Sequence, residues 1–338
     1  MRRSRFSAGL AAFFAAISAV PAFAQGAEGE AEVRGAASTS ESARFLLAPI
    51  GARNVGLGGA VVAARGDEEG ALWNPASLAA LGTSAAYVHV ANDFGTKTQV
   101  FGAVVRWRGL QAGLAYYHFD LGSISARDAA NRDLGTIDLD DQALAVTLAH
   151  TLAGWIDLGL NYKLVRLRSA CSGPCEAFDL GSTGHAFDLG TVLAPPALSG
   201  IAVGLLLRNV GPPIRFAENG PSDPLPSRLR LGVELDVPRL LRRGEGPQGE
   251  LDVTVRGDLQ QTFTEFDDLD GAVGLELGYR ELLLLRGGYA WSAEGRTGPA
   301  LGLGLRYAGL SLDFGRAFDD FSGFDSDAPF QLSLGFRF

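Results

Sequence analysis

The chain has 338 residues and a formal charge of −9, with 29 basic and 38 acidic side chains dispersed along it. An acidic, scattered balance of this kind argues against nucleic acid as a partner, and two cysteines exclude a disulfide framework. It is 47% hydrophobic with 45 glycines, apolar for a soluble protein, yet beyond the first segment no run of about 18 uncharged apolar residues offers a helical span.

Residues 1–24 have the order of a secretory signal peptide: basic Arg2, Arg3 and Arg5, an uncharged apolar stretch from Gly9 to Val20, Pro21, and then Ala22-Phe23-Ala24 with small residues at both recognition positions. The apolar stretch is too short for an ordinary membrane helix, and the alternative of a buried N-terminal helix fits the order less well. No Cys follows the cleavage site, so no lipoprotein anchor is expected; the mature chain is expected to begin at Gln25, with a charge of −12 once the three arginines are removed. Residues 25–41 read as a flexible lead of small, acidic and polar residues.

From 81 to 338 the apolar content is carried by alternation. In Phe330-Gln-Leu-Ser-Leu-Gly-Phe-Arg-Phe338 every second residue is large and apolar, and the others are polar or Gly. Successive side chains of a strand face opposite ways, so one face suits lipid and the other water. The same pattern predicts strands at roughly 83–92, 97–107, 110–119, 139–150, 154–167, 183–194, 201–209, 227–237, 249–260, 270–280, 282–292, 299–307, 310–318 and 329–338. Charged residues fall in the opposite phase to the large apolar ones, as they must where a lipid-facing charge costs about 2–4 kcal/mol at mid-membrane.

Very short turns at Arg108-Gly109, Leu152-Ala153, Glu281 and Ala308-Gly309 mostly alternate with long loops at Leu121–Asp138, Arg168–Ser182, Gly211–Pro226 and Asp319–Ala328. Periplasmic turns and extracellular loops alternate in this way. Two connections on the short-turn side, Pro195–Gly200 and Pro238–Gln248, are longer than the rule suggests. The fold expected is an all-β transmembrane antiparallel barrel of about 14 strands in a bacterial outer membrane. Closure follows because an open edge in hydrocarbon leaves backbone polar groups unpaired. A soluble sandwich or propeller is the competitor, and no blade-length repeat supports a propeller.

The segment 42–80 is more distinctive. It carries Gly51-Ala-Arg53, the Gly-Leu-Gly-Gly-Ala run at 56–60, the acidic pair Asp67-Glu68, and Trp73-Asn-Pro-Ala76. With Arg208-Asn-Val-Gly211, Pro224–Gly232 and the Leu310–Phe314 strand, it resembles the PorV/PorQ family, which belongs with the FadL-type outer-membrane transport barrels. The resemblance implies fourteen strands and a hatch inside the lumen formed by about 42–80, with Gly56, Gly58, Gly59, Trp73, Asn74 and Pro75 in it. These residues suit turns and close approach to a wall, although they also suit an ordinary periplasmic lead. A phosphate-loop reading of the glycines fails, since no G-K-[ST] follows and no strand and helix stand in βα order.

The charges Arg230, Glu234, Asp252, Arg256, Glu276, Arg280, Asp313 and Arg337 are assigned to the lumen. They serve either a passage or, preferably, a mixed-charge network that fills a narrow barrel and holds the hatch. Cys171-Ser-Gly-Pro-Cys175 is expected to form a local disulfide in an oxidising compartment, since two thiols are half a zinc site. Trp107, Trp155 and Trp291 fall at strand ends, where an aromatic girdle sits. His89, His118, His150 and His185 are scattered, with no nucleophile–base arrangement, so no enzyme, metal or cofactor is expected. Phe338 resembles the terminal signal read by outer-membrane assembly machinery.

The PorV/PorQ resemblance implies a docking or shuttle barrel for secreted proteins, with Gly211–Pro226 and Asp319–Ala328 as the cargo loops. The competing expectations are a FadL-like channel for hydrophobic small molecules and a structural barrel without cargo. Outer-membrane lipid and assembly machinery are the partners common to all three.

Overall fold

A computed structural model describes residues 41–93, 96–175, 180–216, 222–241, 250–263, 269–292, 297–318 and 330–338. The expected signal peptide, the lead up to residue 40 and the loop Asp319–Ala328 lie outside the described residues. The strands are β1 (Ala85–Asp93), β2 (Thr96–Trp107), β3 (Leu110–Arg127), β4 (Asp133–Leu152), β5 (Ile156–Ser172), β6 (Leu180–Leu193), β7 (Ile201–Val210), β8 (Ile214–Arg215) and β9 (Ser222–Asp223). They continue with β10 (Arg228–Asp236), β11 (Leu251–Thr262), β12 (Asp270–Tyr279), β13 (Leu283–Trp291), β14 (Gly298–Tyr307), β15 (Leu310–Ala317) and β16 (Phe330–Arg337). All but β8 and β9 form one closed antiparallel barrel of fourteen strands, in which β1 pairs with β16 and β7 with β10.

Burial alternates along most of the wall strands as the sequence alternates. On β14, Leu301, Leu303 and Leu305 are exposed on the outer face while Ala300, Gly302 and Gly304 are buried toward the lumen. A belt of exposed Leu, Val, Phe and Tyr so encircles the barrel, and a contiguous apolar surface of that extent is built for hydrocarbon. Among the described residues no helix is long and apolar enough to cross a membrane; the strands do so. The molecule is an outer-membrane barrel.

One end carries the tight turns. Arg108-Gly109, Ala153-Gly154, Arg280-Glu281 and Ala308-Gly309 all have positive φ at both central residues, the geometry of two-residue turns whose twist matches the flanking strands. Ser84 and Phe338 pair at the same end, which is the periplasmic end by the rule for such barrels. The two longer connections here contain a 3-10 turn at Pro196–Leu198 and a short helix α2 (Val237–Leu241), following the order α1 (Ala52–Gly56) in the N-terminal segment.

The opposite end differs from expectation. β3, β4, β5 and β6 run well past the predicted strand ends, so most of the predicted loops Leu121–Asp138 and Arg168–Ser182 is paired strand. Outside the bilayer neither face has to be apolar, so the alternation stops while the ladder continues. The Gly211–Pro226 connection contains the β8–β9 hairpin, whose Ile214 is buried.

Candidate functional site: the barrel lumen and its inner segment

Residues 41–80 lie inside the barrel. Gly51, at φ 98°, turns the chain into α1. Gly58 and Gly59, both at positive φ, turn it out again. Asn74 caps the following 3-10 turn by accepting from the Ala76 N–H at 3.1 Å, and Pro75 occupies the first position. The Asn74 amide also donates to the Val62 carbonyl at 2.7 Å, tying the two arms of the segment together. Trp73 is buried, packed at Gly51.

The wall meets this segment through inward glycines. A methyl group at Gly315 would strike the Ala52 carbonyl, at Gly288 the Leu57–Gly58 peptide, and at Gly204 the Val62 carbonyl. At Gly159 it would strike the Pro75–Ala76 peptide, and at Gly190 the Asn74 side chain. Glycine is needed at the first four of these positions because backbone lies directly on backbone, and at Gly190 because the capping Asn74 side chain lies on it. They belong to β15, β13, β7, β5 and β6, so the segment touches the wall on opposite sides.

Charge fixes it further. Glu276 on β12 accepts from Arg53 of α1 at 2.9 Å and from Arg256 and Arg286 at 3.3 and 2.6 Å. Arg53 also reaches Asp67 at 2.6 Å. Asp313 receives Arg286 at 2.5 Å and Arg306 at 2.7 Å. Asp258 accepts from the Val61 and Val62 N–H groups, both at 2.9 Å, and pairs with Arg230 at 3.1 Å. Arg65 of the segment pairs with Asp157 on the far side at 2.5 Å. Glu68 accepts from Arg337 at 2.5 Å and from Ser311. At the β1–β16 seam, His89 and Ser333 hydrogen-bond each other at 3.0 Å, and Ser333 accepts from the Ala52 N–H at 3.0 Å.

The two ends of the lumen have opposite character. Toward the periplasm, a polar cavity of about 530 Å³ is lined by Arg53, Arg65, Asp67, Asp252, Glu276 and Arg306 among others. Toward the outside, Val100, Tyr117, Phe119, Ala143, Val165, Leu167 and Ala186 of β2–β6 form one apolar cluster. Ile214 and Leu225 close over it, and Phe45, Leu46 and Ile50 of the inner segment complete it. The Phe45 and Phe119 rings lie 4.8 Å apart.

Of the charges assigned to the lumen from sequence, Arg230, Glu234, Arg256, Glu276, Asp313 and Arg337 join the network just described, and Asp252 lines the polar mouth. Arg280 departs from that assignment. It occupies a periplasmic turn at φ 53°, pairs with Glu250 and lies over the Tyr279 ring, because the strand ends one residue earlier and its alternation no longer holds. Cys171 and Cys175 are disulfide-bonded. Phe338 is exposed at the periplasmic rim, where its carbonyl accepts from Thr83 at 2.6 Å. His118 pairs with Asp140, His150 contacts the Gly109 carbonyl and His185 contacts Tyr162, so the histidines stay apart.

Sequence reasoning placed Arg53 in a motif and read Asp157 and Lys163 as inward by strand phase, but it singled out none of them as a site, nor Asp258, Arg286 or Asp188, which pairs with Lys163 at 2.7 Å. Their strand phase could be read. Their partners, up to 223 positions away for Arg53 and Glu276, could not.

The sequence matches no family profile and no curated protein. Solved structures do match. The CymD monoaromatic hydrocarbon channel is 12% identical with a TM-score of 0.58, covering 86% of this chain and 97% of that one. A Pseudomonas aeruginosa FadL homologue is 13% identical with a TM-score of 0.52 over 86% and 98%. The Pseudomonas putida toluene transporter TodX is 10% identical with a TM-score of 0.54 over 85% and 98%. Identities this low establish the shared barrel fold alone.

Proposed function

We propose that this barrel is a channel for hydrophobic small molecules, with residues 42–80 as its hatch. One observation carries the reading: the outer half of the lumen is lined on β2–β6 mainly by apolar side chains, with Thr98, Asp141 and the Lys163–Asp188 pair among them, and is floored by Phe45, Leu46 and Ile50. A route for ions or sugars needs polar lining to replace water, whereas an apolar solute gains by leaving water for such a surface. Among the described residues, Ala43–Ala48 make no hydrogen bond to the wall, so this stretch is the part of the hatch that an apolar solute displaces most readily. The likeness in fold to hydrocarbon channels supports the reading.

The export reading rested on the PorV/PorQ resemblance. Two of the matched folds, CymD and TodX, are a monoaromatic hydrocarbon channel and a toluene transporter, and no feature of the described residues favours docked cargo, so the order of the two readings reverses. The test is uptake of a radiolabelled monoaromatic hydrocarbon and of a long-chain alkane by a deletion strain complemented with the wild-type gene or with Leu167→Asn. Faster uptake with wild type, reduced by the variant at equal barrel abundance, is expected. Uptake indifferent to the gene for both compounds sinks the channel reading. An altered surface proteome in the same strain restores the export reading, and no change in either assay leaves a structural barrel.

A further inference from the structure

On the outer face of β5, Leu158, Leu160, Tyr162 and Leu164 are followed by Arg166 and Arg168 in the same phase. Register places Arg166 between Gln142 of β4 and Thr183 of β6, and Arg168 between Asp140 and Gly181. One pair of residues lower, the same strands carry Leu144, Leu164 and His185, and below that Val146, Tyr162 and Phe187. Tyr162 contacts His185 at 2.8 Å through its hydroxyl, and its ring meets Phe187 at 5.4 Å. The apolar band therefore ends at Leu164 on an aromatic shelf. This end of β5 lies opposite the tight turns, in the outer leaflet.

Both arginines are exposed. Neither forms an ion pair or a side-chain hydrogen bond among the described residues. The carboxylate opposite Arg168 is Asp140, and it is already engaged by His118 at 2.5 Å and Gln142 at 2.7 Å. Residues two apart on a strand stand roughly 7 Å apart on one face, so the two guanidinium forks can converge on one tetrahedral anion. A guanidinium matches phosphate oxygens two at a time.

We propose that Arg166 and Arg168 form a site for a phosphate-bearing lipid of the outer leaflet. The phosphate is held by the two guanidinium groups, and the acyl chains lie along Leu144, Leu164 and Phe187. A lipid is favoured over free phosphate because two exposed arginines hold a small ion weakly in water, whereas a lipid adds apolar contact immediately beneath them. The site is independent of what the lumen carries.

Native mass spectrometry of the purified full-length barrel with bis-phosphorylated lipid A tests this. Bound lipid is expected to fall about tenfold in the Arg166→Gln/Arg168→Gln variant, and the Arg166→Lys/Arg168→Lys variant should fall between the two. Arg132→Gln, on an exposed loop, should leave it unchanged. Heat-modifiable migration checks that each variant barrel is closed. Wild-type protein with dephosphorylated lipid A supplies an arm that needs no variant, and binding there should be as weak as in the Gln variant. Equal binding of lipid A by wild type and the Gln variant overturns the site, as does equal binding of the dephosphorylated lipid. Displacement of lipid A by millimolar inorganic phosphate reassigns the site to the free ion.

Discussion

The two halves of the lumen wall are built on different rules. On β10–β16 the inward positions are mostly glycine, charged, or small and polar: Gly288, Gly302 and Gly315 admit the backbone of the inner segment, and Arg286 binds both Glu276 and Asp313. On the outer parts of β2–β6 they are mainly apolar, Val100, Phe119, Val165 and Leu167 among them, with Thr98 and Asp141 as polar members. The first half holds the segment by contacts that tolerate no added atom and no missing charge. The second offers a surface with little geometric demand. A barrel can thus be rigidly filled on one side while keeping a permissive face on the other.

The sharpest way to break the rigid half is at its hub. Glu276→Ala takes from Arg53, Arg256 and Arg286 the carboxylate they share, leaving each with one acidic partner, Asp67, Glu234 and Asp313, and removal of one partner from a buried pair costs about 3–5 kcal/mol. A large fall in the temperature at which the barrel loses its fast-migrating form on a gel is expected. Next comes a neighbouring pair of glycines. Gly288→Val forces a side chain into the Leu57–Gly58 peptide and should destabilise by about 1–3 kcal/mol or more. Gly287→Val, at a position with nothing within 4 Å, should be nearly silent in the same urea titration. Equal effects would mean that the segment does not press on this wall.

A smaller effect is expected from Asn74→Ala, which removes a cap and the link to Val62, at about 1 kcal/mol. The smallest is local, at the tip of the β3–β4 hairpin. The Arg132 backbone N–H and then its guanidinium, at 2.8 and 2.6 Å, hold the Asp128 carboxyl below the usual carboxylate range. A depressed pKa in the folded loop means that the turn is supported above the ordinary carboxylate range and loses that support as pH falls through the lowered value. Protection of the Ala130 and Arg132 amides, corrected for intrinsic exchange, should decline over that interval and be low at every pH in Asp128→Ala, which removes the acceptor.

Much of the wall was legible because hydrocarbon imposes a rule on every second residue. The strand at 97–107 was predicted from that rule and its observed bounds, Thr96–Trp107, differ by one residue. The extensions of β3 and β4 were not legible, because Asp120-Leu-Gly-Ser-Ile-Ser125 sits where both faces meet water. In the lumen, sequence separated inward from outward residues but not one inward role from another. Gly302, which abuts Gly56, and Gly278, which meets only Asp252 and Leu284, look alike in sequence. Arg280 shows the limit of phase counting, since one residue past a strand end the parity has no meaning.

The inner segment bonds to the first strand, the last strand and the wall between them, through His89, Ser333, Glu276 and Asp157. It therefore acts as a rivet across the β1–β16 join as well as a filling. To withdraw it, contacts on opposite sides of the cylinder must be released together, and the join loses its inner brace in the same event. Wall and filling are one cooperative unit, and resistance to unfolding is shared between a lipid-facing ladder and a ligand-facing core.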